Sequence, residues 1–267
     1  MQMNIGASTA CLYPLETEKA LYELAVRGVK NVEIFINSVD ELDGAVFADM
    51  RKTLGSFGVS VKSVHPFSSP METLFLFGNY PRRTEYLLDI YKHYFEVMNL
   101  LGAKIFVLHG AILSSNVPDE RYMERYLRLY REGAAQGITV AQENICYCKS
   151  SSLSFLKNMS EQLGDEVRFV IDLKQARRSN LDIFQIIDAL GDKTVHLHVS
   201  DGSKGGDCLP IGTGDFDFER LFRVMDGFNY DGALIVELYR ENYSSYDDLA
   251  TCVKTLEKLL NIHYHKV

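Results

Sequence analysis

Residues 138–143 read ITVAQE, residues 167–172 VRFVID, residues 194–198 TVHLH and residues 232–237 GALIVE. Each run is rich in aliphatic and β-branched residues, is too short for a helix, and closes on an ionisable side chain: Glu143, Asp172, His198 or Glu237. A strand of this kind is buried along its body and meets solvent where the charged residue ends it. Four such ends in one chain raise the question of whether the fold gathers them.

Working outward, four further runs have the same strand-like character: Met3–Ser8, Asn31–Ile36, Val59–His65 and Lys104–His109. Between the eight runs lie amphipathic stretches of helical length, Glu16–Arg27, Ser38–Phe57, Arg83–Leu101, Glu120–Gln136, Ser151–Leu163, Leu181–Leu190 and Phe216–Gly227, with Tyr246–Leu260 after the last strand. Gly28, Gly58, Gly102, Gly137, Gly164 and Gly191 follow the end of a helical pattern, where a left-handed C-cap is expected. Strict strand–helix alternation repeated eight times predicts an α/β fold, a closed parallel (β/α)8 TIM barrel. The competing architecture, an open doubly wound sheet, normally carries a glycine-rich first turn that is not found here. No Pro/Gly/Ser-rich linker divides the 267 residues, so residues 1–267 are read as one domain.

In such a barrel the functional groups project from the C-terminal strand ends. Here the third to eighth strands end in His65, His109, Glu143, Asp172, His198 and Glu237. One or two of these are explicable as satisfied polar residues at a strand edge; all six together are not. Three carboxylates converging on one small space repel each other unless protons or a cation compensate, and a metal site is the economical explanation.

Composition narrows the partners. With 28 basic and 36 acidic residues the net charge is −8, which argues against a broad phosphate-binding surface, so no nucleic acid is expected. No stretch approaches the ~18 apolar residues of a membrane span, and the N-terminal MQMNIGASTA lacks the pattern of a signal peptide, so the expected location is cytoplasmic, with no membrane partner. The five cysteines are odd in number and scattered without a CxxC pair, which fits free thiols; Cys146 and Cys148 form a lone CxC beyond Glu143, weak as a metal motif. Two loops stand out on the active face. Pro66–Pro81 is either an apolar lid or a local helix packed on the rim, and the glycine-dense Gly202–Gly214 is either a loop over a ligand or a tight turn.

The elements SVHPF (63–67), VLHGA (107–111), QEN (142–144), VID (170–172), HLHVSD (196–201), LPIGTGDFDF (209–218) and IVELY (235–239), in this order, resemble the xylose isomerase-like barrel superfamily, which holds sugar isomerases and epimerases, inosose dehydratases and endonuclease IV. The resemblance covers nearly the whole chain. In the ketose 3-epimerase branch it implies one divalent ion held by Glu143, Asp172, His198 and Glu237, with Glu143 and Glu237 also the acid/base pair. His198, not His196, takes the ligand position because the family places its His three residues before an acid, as in His198-Val-Ser-Asp201; His196 falls one layer deeper as a buried polar residue.

Endonuclease IV needs further imidazoles for its second and third zinc ions, and at those positions this chain has Gln175 and Gly206-Asp207-Cys208. His65 and His109 are therefore expected to line a substrate pocket, together with Gln175, where many isomerases carry a substrate-touching His. Lys204 lies about where epimerases carry a basic substrate-holding residue; the plainer reading is a solvated loop lysine. Arg177 and Arg178 read either as an anion site or, more simply, as a solvated pair. Three carboxylates and one imidazole make a hard donor set suited to Mn²⁺ or Mg²⁺, with Co²⁺ or Zn²⁺ as alternatives. The expected function is a metal-dependent sugar isomerase or epimerase acting on a ketose or related polyol by proton transfer beside a metal-polarised carbonyl. The alternatives are an endonuclease IV-like DNA repair enzyme, which metal stoichiometry distinguishes, and a non-catalytic sugar-binding barrel, which turnover distinguishes. The resemblance also allows a homo-oligomer paired through outer helices, although no motif fixes one.

Overall fold

A computed structural model describes residues 3–67 and 71–266. In chain order the strands are β1 (Asn4–Ser8), β2 (Asn31–Ile36), β3 (Ser60–Pro66), β4 (Ile105–Leu108), β5 (Thr139–Glu143), β6 (Arg168–Asp172), β7 (Thr194–Val199), β8 (Asp201–Ser203), β9 (Gly206–Leu209) and β10 (Ala233–Val236). Eight of them close a barrel in the order β1-β10-β7-β6-β5-β4-β3-β2, every pair parallel, and β8 and β9 form a separate antiparallel hairpin. Each of the eight runs read from the sequence is a barrel strand. The helices are α1 (Thr17–Val26), α2 (Gly44–Phe57), α3 (Pro81–Leu101), α4 (Asp119–Ala135), α5 (Leu153–Leu163), α6 (Leu173–Arg178), α7 (Ile183–Leu190), α8 (Phe218–Gly227) and α9 (Tyr246–Lys266).

The helices form because their apolar residues recur at helical spacing and find the outer face of the barrel. In α4, Tyr122, Met123, Tyr126, Leu129 and Gly133 are buried, and the Tyr126 hydroxyl donates to Val140 O of β5 at 2.9 Å. The expected helix Ser38–Phe57 is broken instead: Val39–Leu42 is a 3₁₀ turn, and α2 starts only at Gly44. Of the six C-cap glycines, Gly28, Gly58, Gly102, Gly137 and Gly164 have positive φ, whereas Gly191 does not; with φ −59° it opens a 3₁₀ turn into β7. Neither α6 nor the β8–β9 hairpin was expected.

Inside the barrel the alternation of strand side chains produces layers. Val107, Ala141 and Val170 pack together as a small apolar floor. Beside it is a polar group in which Ser8, Glu33, Ser63 and His196 hydrogen-bond to one another, His196 pairing with Val170 in the β6–β7 register. Asp172 pairs with His198 in the β6–β7 register, whereas Glu143 pairs with Val170, two residues before Asp172, and His198 pairs with Ile235, two residues before Glu237.

The segment after β3 is a rim-packed helix over its described part. Glu72–Leu76 is a π-helical turn with Leu76 and Phe77 buried; residues 68–70 of the expected lid lie outside the described residues. Glu72, itself buried, accepts Gly110 N at 2.6 Å and the Tyr91 hydroxyl at 3.0 Å, tying this turn to the end of β4. Gly110 is required there: its φ is +90° and an added Cβ would stand 1.9 Å from the Tyr122 hydroxyl.

Candidate active site and metal centre

Because β10, β7, β6 and β5 are consecutive in the barrel, Glu237, His198, Asp172 and Glu143 form an arc around one side of its mouth. One candidate ligand atom from each lies within 4.8 Å of the other three. His198 Nδ1 is 2.9 Å from Glu143 Oε1, 3.7 Å from Glu237 Oε2 and 3.8 Å from Asp172 Oδ2. Neighbouring ligand atoms around a cation bound at 2.0–2.3 Å stand about 3 Å apart, so the cluster is of the right size. The side chains of Glu143, Asp172 and His198 are at most 2% exposed and that of Glu237 is 15% exposed, which makes Glu237 the most open of the four.

The arc is held from behind. Glu33, on β2, is not among the residues the sequence singles out, yet it is fully buried and accepts from Ser8 Oγ at 3.2 Å and Ser63 Oγ at 2.7 Å. Its Oε2 stands 2.9 Å from His198 Nε2 and 3.2 Å from His196 Nε2. A carboxylate only accepts, so His198 as it stands carries one proton on Nε2 toward Glu33 and another on Nδ1 toward Glu143; an ion held by the three acids would take the place of the Nδ1 proton, and the Glu33 contact through Nε2 is the carboxylate–histidine arrangement that orients a metal-ligating imidazole. Burial penalises charge on both groups, but His198 and His196 hold Glu33 well below the usual carboxylate range, and Glu33, Glu237 and Glu143 hold His198 well above its ordinary value. His196 is the buried polar residue expected one layer down, and burial lowers its pKa.

His65 and His109 continue the arc past Glu143, on β3 and just beyond β4. Their Nε2 atoms are 2.7 Å apart, and His109 Nε2 is 3.2 Å from Glu143 Oε2. His65 Nδ1 is 3.0 Å from Pro66 O, which fixes a proton on Nδ1 because a carbonyl only accepts, and its ring stacks on Phe35 with centroids 4.7 Å apart. His109 is the more exposed of the pair, with 14% of its side chain open to the mouth. Both histidines are therefore brought to the site.

A second residue outside the sequence reading is Lys174, in the first turn of α6. Its Nζ donates to Asp172 Oδ2 at 2.8 Å and to Glu237 Oε2 at 2.6 Å, and lies 5.3 Å from the centre of the Tyr239 ring. The side chain is 3% exposed; burial opposes its charge, but Asp172 and Glu237 outweigh burial and raise its pKa well above the usual lysine value. Asp172 does two jobs: Oδ2 faces the cluster, and Oδ1 accepts Gln175 N at 2.9 Å as the N-cap of α6. Burial pushes the Asp172 carboxyl up to about 6, with Lys174 opposing and Glu143 and Glu237 adding to the rise. Burial raises Glu237 as well, yet Lys174 and His198 leave it below its ordinary value.

The remaining expected residues divide. Gln175 is buried beside the site, but its side-chain carbonyl accepts Cys146 N at 3.2 Å, so it ties the loop after β5 to α6. Lys204 is exposed at the turn of the β8–β9 hairpin, which matches the solvated reading. Arg177 and Arg178 have partners within the chain that neither reading named, although Arg178 is exposed, as the solvated reading has it. Arg177 donates to Ser203 O at 3.0 Å and packs on Gly202; Arg178 pairs with Asp207 and donates to the Tyr239 hydroxyl at 2.7 Å, so both tether the hairpin. Among the described residues, no group able to hold an ion includes Cys146 or Cys148. The glycine-dense loop is a folded turn organised by Asp201, which accepts Gly202 N and Phe216 N on Oδ1 and Gly212 N and Gly214 N on Oδ2. Cys208 turns its thiol to Glu237 O at 3.7 Å.

A family model for the xylose isomerase-like TIM barrel matches residues 21–259. The chain belongs to that family. It is similar to an inosose dehydratase of Clostridium perfringens, 23% identical over 251 residues that cover 87% of this chain and 77% of the relative. Among solved structures, a D-allulose 3-epimerase from Methylomonas sp. in complex with D-allulose superposes with a TM-score of 0.77 at 15% identity, covering 96% of each chain. A xylose isomerase-like TIM-barrel protein from Mycobacterium smegmatis in complex with magnesium has a TM-score of 0.75 at 14% identity, covering 98% of this chain and 97% of the other. At these identities the superpositions speak for the fold. Among the described residues no helix is long and apolar enough to cross a membrane.

Proposed function

We propose that the protein is a divalent-metal-dependent isomerase or epimerase acting on a ketose or related polyol by moving a proton at a carbon beside a carbonyl. The observation that carries this reading is the placement of Glu143 and Glu237 at the two ends of the four-strand arc, facing a common point. Two carboxylates so placed reach a small substrate from different sides, as removal of a proton on one face and its return on another require.

The residues suit an ion. Glu143 Oε2 is buried and has no directed hydrogen bond, and three carboxylates with one imidazole are a hard donor set fit for Mn²⁺ or Mg²⁺. Glu143, Asp172, His198 and Glu237 would hold it, and when bound it supplies Lewis acidity to a substrate carbonyl oxygen. The protein's own groups do the rest. Glu237, the most open, exchanges a proton with the substrate carbon; Glu143 serves the opposite face; His109 and His65 present ring nitrogens to substrate hydroxyls; Glu33 keeps His198 in its ligating tautomer. The relatives' names, an inosose dehydratase and a D-allulose 3-epimerase, support a small polyhydroxy carbonyl compound as substrate.

The test is incubation of Mn²⁺-loaded protein with ketoses and inososes in deuterated water, followed by NMR. Deuterium is expected at the carbon next to the carbonyl of at least one compound. Failure of every ketose and inosose to exchange would overturn the assignment. A pH dependence accompanies it. A ligating carboxylate must be ionised, and Asp172 takes up a proton as pH falls through about 6. Mn²⁺ binding, followed by calorimetry from pH 7.5 downward, is therefore expected to weaken across the range because His198, raised above its ordinary value, must give up a proton to ligate, and to fall more steeply below about pH 6 as Asp172 is protonated; a fall that does not steepen between pH 6 and pH 5 would exclude Asp172 as a ligand.

A further inference from the structure

Lys174 is unexpected in a metal centre, and resting on the metal reading above, we infer that its ammonium is a built-in counter-ion that competes with the divalent ion for Asp172 and Glu237 and so sets the metal affinity of this chain.

The geometry leaves the two cations little choice but to share oxygens. Lys174 Nζ is bonded to Asp172 Oδ2 and Glu237 Oε2, the same two atoms that face His198 Nδ1 at 3.8 and 3.7 Å. Asp172 has no easy alternative, because its other oxygen caps α6 through Gln175 N. Lys174 cannot readily withdraw either. It sits two residues after Asp172 in the same helix start, its side chain is 3% exposed, and Tyr239 covers it at 5.3 Å. Leaving the carboxylates would strand an ammonium in a buried place, at considerable cost. An ion entering the arc therefore meets a positive charge held against two of its four ligands, and either shares those oxygens or displaces the lysine from them. Lys174 is a positioning residue in this account: it keeps the acids together before an ion arrives and weakens the ion's hold once it has.

The sign of the effect separates this from a merely structural role. If Lys174 only held the ligands in place, removing it would loosen the site and weaken metal binding; if it competes, removing it strengthens binding. Metal-stripped wild type, Lys174→Met and Lys174→Arg are titrated with Mn²⁺ by calorimetry, and their melting temperatures are recorded with and without Mn²⁺. Lys174→Met is expected to bind Mn²⁺ more tightly by on the order of tenfold or more, given a unit charge removed from within a few ångströms of the ion. It is also expected to melt lower than wild type without metal and to gain more from Mn²⁺. Lys174→Arg, which keeps the charge, is expected to bind no more tightly than wild type. Lys174→Gln is a second neutral variant should the methionine fail to fold, and the same tightening is expected of it. Wild-type binding with unchanged or weaker affinity in a folded neutral variant overturns the inference and leaves the metal centre standing. Absence of Mn²⁺ binding in both wild type and the neutral variants overturns the metal centre as well.

Discussion

Glu33→Ala is expected to destabilise the protein by about 3–5 kcal/mol, the range for removing one partner of a buried charge pair. Glu33 is fully buried and is the common acceptor for Ser8 Oγ, Ser63 Oγ, His196 and His198. Alanine leaves all four without it, and a buried polar group stripped of its partner bears the full cost of desolvation. The same change frees the His198 ring to rotate or to take its proton on Nδ1. Loss of such a supporting carboxylate typically costs 10–100-fold in metal affinity, so Mn²⁺ binding is expected to weaken by roughly that factor. Urea denaturation of metal-free protein checks the first effect and calorimetry the second. An unchanged midpoint at unchanged slope would show that the polar layer beneath the mouth is not held together by Glu33.

Glu33 also marks the limit of what was legible in the sequence. The strand ends announced themselves because an apolar run that stops on an acid has a simple physical reading, and Glu143, Asp172, His198 and Glu237 are indeed gathered. Alternation placed His196 correctly one layer down. Glu33 sits mid-strand in NVEIFI, where a lone acid reads as a solvent-facing residue unless the strand is known to line a barrel interior; its position between the β-branched Val32 and Ile34 was the available signal. Lys174 was hidden differently. A lysine two residues past a strand end looks like the solvated start of a loop, and only the helical turn of α6, capped by Asp172 itself, folds it back onto the acids. For Lys204 the sequence left two readings open, a substrate-holding residue by resemblance and a solvated loop lysine, and what it did not show is that Asp201 and the two arginines fold the glycine-dense loop into a hairpin whose tip carries the lysine into solvent. Local pattern thus reports which side chains leave the core, and long-range closure decides which of them meet.

Glu237→Gln is expected to reduce turnover by about 10² to 10⁴, the usual contribution of a positioned proton carrier, while leaving the fold intact. Glutamine has nearly the same shape, and its carbonyl oxygen can still accept from Lys174 Nζ, which stands 2.6 Å from Glu237 Oε2. What it loses is the ability to take up and return a proton. The variant therefore separates holding from chemistry. If Glu237 were only a ligand, the amide oxygen would serve in its place at a modest cost in Mn²⁺ affinity, and turnover at saturating metal would recover. If it carries the proton, saturating metal restores nothing. Glu143→Gln does not offer so clean a test, since it also disturbs the 2.9 Å contact with His198 and the neighbouring His109. Turnover of the metal-saturated Glu237→Gln protein within a few-fold of wild type, with any substrate found by solvent exchange, would remove Glu237 from the acid/base pair and leave Glu143, buried at the other end of the arc, without its counterpart.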